Sequence, residues 1–291
     1  MKINPKEIPV PQLHGFLLGA VAPRPIAFAS TVDKNGAVNL SPFSFFNVFS
    51  ANPPILIFSP ARRGRDNTEK HTWQNVVEHP EVVISVVSDP IVEQMSLAST
   101  EYAKGVNEFV KSGLTPIDSD HVKPPRVKES PVSFECKVIE VKPLGNEGGA
   151  GNLVIAEVLL IHVADEVLTD GKIDPQKIQL VGRMGGNWYS RAYGNEIFEV
   201  AKPLAKKGIG VDQIPAEIRN SEVLTGNDLG KLGNVEQLPT EEEVKAYSKE
   251  PEVKAILDRS SNAQTALHQL AREHLAKGDV SGAWKVLLQG S

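Results

Sequence analysis

Short apolar runs, bounded by prolines or polar residues, dominate the first two thirds of the chain. The shorter ones are RPIAFAST (24–31), PILIFS (54–59) and EVVISVVS (81–88). Two longer runs, 131–144 and 152–168, alternate between apolar and polar positions and are joined by a glycine-rich segment. Alternation and β-branched residues in runs of this length predict β-strands.

The turns between these runs favour an antiparallel arrangement. The Asn35-Gly36 pair follows the first run and is typical of a tight hairpin turn, after which AVNLS returns as a second strand. In this part of the chain, apolar residues at helical spacing occur only in two short segments, 69–80 and 90–99. Many strands with few helices between them predict a barrel or a sandwich. No G-x-G-x-x-G follows a strand, which disfavours a dinucleotide-binding Rossmann fold.

The pattern becomes helical from about Tyr193. We predict amphipathic helices at 194–208 and at 239–259, where Thr240 is a candidate N-cap. The segment 263–289 predicts a helix pair and faintly resembles one tetratricopeptide unit. A single repeat cannot bury its own apolar face, which favours a docked helical extension over a peptide-binding array. We therefore predict two domains, a mainly β domain over residues 1–192 and a helical C-terminal extension over residues 193–291.

Composition excludes several classes of function. The formal net charge of −5 gives no electrostatic case for nucleic-acid binding. The single cysteine, Cys136, rules out a disulfide within the chain and favours a reducing compartment. No apolar run reaches the roughly 18 residues of a membrane span, and the N-terminus lacks the apolar region of a signal peptide. We expect a cytoplasmic protein that binds neither nucleic acid nor membranes.

A basic turn is the first candidate for chemistry. In FSPARRGRDNTEKHTWQN (58–75), three arginines follow a strand, and Lys70 and Thr72 lie near the start of a helix. Guanidinium, ammonium, hydroxyl and free N–H groups together suit a phosphate. A solvated charged loop, partly neutralised by Asp66 and Glu69, is the alternative interpretation. The turn is not a P-loop, because G-x-x-x-x-G-K is absent.

An aromatic and polar loop precedes that turn by one strand. NLSPFSFFNVFSANPP (39–54) holds four of the ten phenylalanines of the chain among small polar residues. These rings either fill the core or form a wall for a flat heteroaromatic ligand. The intervening strand of about six residues spans about 20 Å, so loops at its two ends can reach one ligand. A planar ring with a phosphorylated tail fits both segments.

Several motifs, taken in order along the chain, resemble the flavin reductase-like, FMN-binding split-barrel family. They are APRPIAFASTVDKNGAVNLSPFSFFNVFSANPPILIFS (22–59), KHTWQN (70–75), EYAKGVNEF (101–109), SPVSFECKV (130–138), IHVADEVL (161–168) and VGRMGGNWYSR (181–191). The resemblance covers roughly Pro23 to Arg191. It implies a six-stranded antiparallel Greek-key split β-barrel and a homodimer, with FMN bound near the dimer interface. The helical extension lies outside it.

The resemblance also implies which residues hold FMN. Those implied at the isoalloxazine and the ribityl chain are Asn39, Ser41, Ser44, Phe45, Phe46 and Asn47. Those implied at the phosphate are Ser59, Arg62, Lys70 and Thr72. His71 stands where many family members have Asp, which changes the local charge balance in favour of a dianion.

Three further predictions concern single residues and short segments. His162 ends a strand and is either a satisfied strand-end histidine or a group near the flavin face; it is the one candidate catalytic residue. The segment 101–109 is either a lid over the flavin or a solvated helix. We predict no metal site, because no C-x-x-C or H-E-x-x-H and no other metal-ligand spacing occurs.

The function implied by the resemblance is hydride transfer from NADH or NADPH to FMN and onward to an acceptor, with the flavin supplying the chemistry. One alternative is a non-enzymatic FMN-bound electron carrier or flavin store that acts with a partner protein. Another is a split-barrel relative that binds heme or F420, although the Lys70 and Thr72 pattern argues against heme.

Overall fold

The chain forms two units, Met1–Phe198 and Glu199–Ser291, in a computed structural model that describes residues 1–203, 207–259 and 263–290. The sequence placed the boundary after residue 192. We describe the two units separately.

A seven-stranded antiparallel sheet is the centre of the first unit. Its strands are β1 (Ala27–Val32), β2 (Val38–Phe43), β3 (Phe46–Ala51), β4 (Pro54–Phe58), β5 (Glu81–Ser85), β8 (Val132–Pro143) and β9 (Asn152–Val163). They pair in the order β2-β1-β5-β8-β9-β4-β3. The prediction of a mainly β domain is confirmed. The resemblance implied six barrel strands, whereas this sheet contains seven.

The two edge strands of the sheet are neighbours in the sequence. β2 and β3 lie at opposite ends of the strand order, yet only Ser44 and Phe45 connect them. Three steps from Phe43 to Phe46 span at most about 11 Å. The sheet therefore curls until its edges nearly meet. No pairing joins β2 to β3 in the part of the chain that the structure describes, so the curled sheet remains open along this seam.

Shorter strands and five helices complete the first unit in the residues that the structure describes. The short strands pair as β6 (Pro116–Ile117) with β7 (Arg126–Val127), β10 (Leu168–Thr169) with β11 (Lys172–Ile173), and β12 (Val181–Arg183) with β13 (Tyr189–Arg191). The helices are α1 (Val10–Ala20), α2 (His71–Glu78), α3 (Val92–Ala98), α4 (Glu108–Ser112) and α5 (Pro175–Ile178). The predicted helical pieces at 69–80 and 90–99 thus correspond to α2 and α3.

Strand β1 explains how the core is divided. All six of its residues are buried. Ala27 and Ala29 face the interior of the curled sheet, where they pack with Phe58 and other inward residues. Phe28 faces the other way and packs against α3 and α4 with Met95 and Phe109. Because successive side chains of a strand point to opposite faces, one buried strand separates two apolar clusters.

The second unit is helical and has its own apolar core. Its helices are α6 (Ala216–Arg219), α7 (Gly226–Gly233), α8 (Glu241–Tyr247), α9 (Pro251–Arg259), α10 (Ala263–Ala276) and α11 (Val280–Leu287). Thr240 caps α8 in a full capping box with Glu243, as predicted from the sequence. The predicted helix pair is α10 and α11, with Gly278 at φ +79° in the turn. Trp284 is fully buried in this core and donates its indole N–H to the Leu232 carbonyl at 3.1 Å.

The helix predicted at 194–208 is wrong for the residues that the structure describes. Gly194–Glu196 forms a single 3₁₀ turn, and the chain from Ile197 to Pro203 is irregular. Gly194 has a φ of +68°, and Pro203 has no N–H for a helical hydrogen bond. Residues 204–206 of this prediction lie outside the described residues. Across the described residues, no helix combines the length and the apolar character needed to cross a membrane.

Two tryptophans provide a test of the second core. Trp284→Ala should lower the free energy of unfolding of the C-terminal unit by about 3–5 kcal/mol, because it removes a large buried ring and its hydrogen bond. Trp188, which is 75% exposed, is the matched control, and Trp188→Ala should cost less than about 0.5 kcal/mol. Chemical denaturation followed by circular dichroism measures both. Equal effects of the two substitutions would contradict the assignment of the core.

Candidate functional site

A small polar cavity lies between strand β2, the start of helix α2 and the segment that follows helix α3. Its lining residues are Asn39, Ser41, Arg63, Lys70, His71, Thr72, Ala98, Ser99, Thr100, Glu101, Tyr102 and Glu108. The volume is about 30 Å³, which is room for about two water molecules. Hydroxyl, amide, ammonium and guanidinium groups therefore converge in a small polar space.

The fold brings four of the predicted FMN-binding residues to this cavity. Asn39 and Ser41 alternate with buried Leu40 on β2, so their side chains share one face of the strand. Lys70 is the N-cap of α2, and Thr72 is buried in the first turn of that helix. The Asn39 amide donates to the Thr72 hydroxyl at 2.9 Å, which joins strand and helix inside the cavity.

Two arginines and one carboxylate close one side of the cavity. Arg63 forms an ion pair with Glu101, and the Arg65 guanidinium lies 2.7 Å from the other Glu101 oxygen. Arg63 is further held by the Thr68 hydroxyl at 3.0 Å and by the Glu69 carbonyl. Glu101 therefore bridges two guanidinium groups next to Lys70. In the described residues the Lys70 ammonium forms no ion pair or hydrogen bond of its own.

The cavity lining combines two cations, Arg63 and Lys70, with two carboxyl groups, Glu101 and Glu108. Burial, followed by the nearby Arg63 guanidinium, lowers the pKa of Lys70, whereas the charge of Glu101 acts to raise it. Burial also lowers the pKa of His71, with further lowering from Arg63 and Lys104. A lowered pKa leaves His71 neutral near pH 7, so the site gains no charge from it. The positive charge comes from the arginines and Lys70.

Glu108 is a buried carboxyl at the opposite side of the cavity. It accepts the backbone N–H of Leu40 at 2.9 Å and ties helix α4 to strand β2. Burial raises the pKa of this carboxyl. Burial therefore favours a bound proton on Glu108, because a low-dielectric environment disfavours the charged form.

Two residues predicted at the phosphate have other partners. Arg62 donates to the Asn67 side chain and carbonyl, both at 2.6 Å, and to Glu69 at 2.9 Å, which shapes the basic turn from within. The buried Ser59 hydroxyl accepts the Asn152 N–H at 3.0 Å. Neither residue lines the cavity, whereas Arg63 does. The sequence placed all these residues in one turn but could not tell which guanidinium points inward.

The remaining predicted residues lie at or beside the seam between β2 and β3. The Ser44 hydroxyl accepts from the Arg24 Nε at 3.3 Å, and Phe45 is 39% exposed and contacts His14 edge to face. Phe46 packs against the inner core, and Asn47 is exposed and bonds to the next backbone N–H at 2.8 Å. None of these four lines the 30 Å³ cavity. Their role as a ring wall stays a prediction.

Arg24 links several segments near that seam, a role that the sequence analysis did not predict. Its guanidinium donates to the carbonyls of Leu18 at 2.8 Å and Met184 at 2.9 Å, and to that of Val21. With Ser44 as a fourth acceptor, one side chain joins α1, the seam and the β12–β13 hairpin. The Arg-Pro-Ile motif contained this residue, but its partners are distant in the sequence.

His162 is part of a separate polar cluster. Its Nε2 lies 2.6 Å from a carboxylate oxygen of Glu135, which is fully buried and also accepts the backbone N–H groups of Asp120 and His121. The ligand atoms of Asp120, Glu135 and His162 lie within 4.8 Å of one another, an arrangement that could hold a metal ion. The direct hydrogen bond already accounts for the contact between His162 and Glu135. His162 does not line the cavity, so the structure does not bring it to the predicted site.

Comparison with known proteins identifies the family. The flavin reductase like domain matches residues 19–182, more than half of the chain and wholly within the first unit. An uncharacterized protein of Aquifex aeolicus is 41% identical over 195 residues, which is 67% of this chain and 97% of that protein.

Solved structures agree with this match. Nitrilotriacetate monooxygenase component B from Bacillus cereus is 31% identical with a TM-score of 0.64, covering 69% of this chain and 98% of the other. A putative flavin reductase with a split barrel domain from Shewanella frigidimarina is 28% identical with a TM-score of 0.58, covering 69% and 99%. By this match, which agrees with its open, curled sheet, the chain belongs to the flavin reductase like domain family.

Proposed function

We propose that the protein binds FMN and passes hydride from NADH or NADPH to it, as an NAD(P)H-dependent flavin reductase. The observation that carries the proposal is the cavity that joins strand β2 to helix α2. Lys70, without an anionic partner in the described residues, lies there beside the Thr72 hydroxyl and Arg63. These are the groups that a phosphate monoester requires.

The donor set fits the polar half of FMN. Lys70 and Arg63 supply charge, and Thr72 and Ser41 supply hydroxyl donors at the end of β2 and the start of α2. A bound flavin would supply the hydride acceptor of the reaction. In this proposal, Asn39 and Ser41 orient the ribityl chain toward the seam, where Ser44 to Asn47 face the ring. The chain then needs no acid or base for hydride transfer itself.

The named relatives support a role with a partner protein. Nitrilotriacetate monooxygenase component B is, by its name, one component of a monooxygenase. A reductase of this kind would hand reduced flavin or electrons to a second protein. An FMN-bound electron carrier is the other candidate. It differs from a reductase because NADH and NADPH would not reduce its flavin.

We also propose a homodimer, and exposed apolar residues support it. Helix α1 has no buried residue, although Phe16 and Leu17 are apolar, and Val21 just beyond its end is also exposed. Val48 and Phe49, each 64% exposed, lie on edge strand β3, and Phe49 falls at a bulge in its pairing with β4. An exposed apolar edge strand is a natural pairing surface for a second copy.

Lys70→Ala should weaken FMN binding by about 1–3 kcal/mol, since it removes one charge-assisted contact to the phosphate. Flavin fluorescence quenching measures the dissociation constant. Riboflavin, which has no phosphate, should bind equally to both proteins. Lys128→Ala, at an exposed position outside the cavity lining, is the control and should leave FMN binding unchanged. Unchanged FMN affinity in Lys70→Ala would refute the phosphate assignment.

Anaerobic mixing of the FMN-loaded protein with NADH and with NADPH tests the reaction. We expect rapid loss of the visible absorbance of the oxidised flavin with one of the two nicotinamides, because hydride transfer reduces the ring. Full retention of the absorbance with both would reject the reductase and favour the carrier. A protein that takes up no FMN would reject both functions.

Val48→Glu combined with Phe49→Glu should shift the protein toward monomer, because two buried charges without partners would oppose pairing at this edge. Size-exclusion chromatography with light scattering measures the mass. Val110→Glu, at a position of helix α4 that is 77% exposed, is the control. A monomeric parent protein, or a double variant with the parent's mass, would contradict the proposed interface.

A further inference from the structure

Glu101 occupies an unusual position at the cavity mouth. It belongs to the segment between helices α3 and α4, and it reaches back to the basic turn that follows β4. Its two carboxylate oxygens contact two different guanidiniums, those of Arg63 and Arg65. A carboxylate that bridges two arginines has the charge sign and the acceptor pattern of a phosphate group.

The arginine donors that face Glu101 are already engaged. Glu101 lines the cavity with Lys70 and Thr72, and its carboxylate takes the Nε of Arg63 and a guanidinium nitrogen of Arg65. An anion that is to bind these two donors together must therefore take the place of the Glu101 carboxylate. The glutamate side chain, 35% exposed, can turn toward solvent when this happens.

The charges around the mouth favour such an exchange. Three cations, Arg63, Arg65 and Lys70, face the carboxylates of Glu101 and Asp66, so 3 − 2 leaves one positive charge when the third nearby carboxyl, Glu108, whose pKa burial raises, holds its proton. A phosphate monoester carries up to two negative charges near pH 7. Replacing Glu101 by this dianion would neutralise Lys70 as well as the arginines. Only part of the Coulomb energy of the exposed pairs is gained, because solvent screens them.

We propose that Glu101 is an internal competitor for the phosphate subsite: its carboxylate holds Arg63 and Arg65 until a ligand's phosphate monoester displaces it. This inference rests on the proposed function, because it takes the cavity to be the phosphate end of the FMN site. Glu101 thereby sets the affinity for the phosphate tail and leaves the ring contacts unaffected.

The opposite role for Glu101 makes a different prediction. If the carboxylate served only to position the arginines, its removal would release them and weaken phosphate binding. If the segment around Glu101 mainly covered the ring site, freeing it from the arginines would raise the affinity for every flavin equally. The three roles therefore differ in how a substitution changes FMN relative to riboflavin.

The test compares the full-length parent chain with Glu101→Gln, a substitution of nearly equal size. Dissociation constants are measured for FMN and riboflavin by fluorescence quenching, and for inorganic phosphate by titration calorimetry. We expect Glu101→Gln to bind FMN and phosphate roughly fivefold more tightly, the scale of a partly exposed ion pair, with riboflavin unchanged. Glu166→Gln, which removes an exposed carboxylate outside the cavity lining, should change none of the three values.

Three outcomes would overturn the inference. The first is weaker FMN binding by Glu101→Gln, and the second is unchanged FMN binding. The third is an equal gain in affinity for riboflavin and FMN. An equal melting temperature of the variant and the parent establishes that the variant is folded. Failure of the parent chain to bind FMN at all would reject the proposed function itself, whereas parent binding without a gain in the variant rejects only the role of Glu101.

Discussion

The two-residue connection between β2 and β3 constrains the whole first unit. Because Ser44 and Phe45 must join strands from opposite edges of one sheet, the sheet has to curl through nearly a full turn. Curling encloses the inner apolar cluster around Phe58 and brings the ends of β2 and β4 near each other. The basic turn after β4 and the polar face of β2 can then share a cavity. A flat sheet with the same strand sequence would separate them.

Local patterns predicted the strands and the cationic turn but not the inward-facing side chains. Alternation predicted β8 and β9, and the capping pattern at Thr240 predicted the start of α8, because both depend on residues a few positions apart. The resemblance implied Arg62 at the phosphate, whereas Arg63 lines the cavity, because Arg62 donates to Asn67 within the turn and Arg63 donates to Thr68 and to the Glu69 carbonyl. Nothing in the sequence spacing distinguishes the two guanidiniums.

Long-range contacts set the other limits of sequence analysis. Phe43 and Phe46 pack in or against the core, as one interpretation of the aromatic loop predicted, whereas a ligand wall that includes the partly exposed Phe45 stays a prediction. The segment 101–109 was open between a lid and a solvated helix, and its long-range contacts with the basic turn and with Leu40 place it at the cavity. The helix predicted over 194–208 was wrong because amphipathic spacing outweighed the effects of Gly194 and Pro203.

The guanidinium of Arg24 also has a consequence for the order of folding. Its donors are used on carbonyls from α1 and from Met184, a residue 160 positions away in the sequence. Closing so long a loop costs conformational entropy that one side chain cannot offset alone. We therefore expect the strands of the sheet to pair before this contact forms. The seam at Ser44 would then acquire its fixed shape late, after the sheet that carries it.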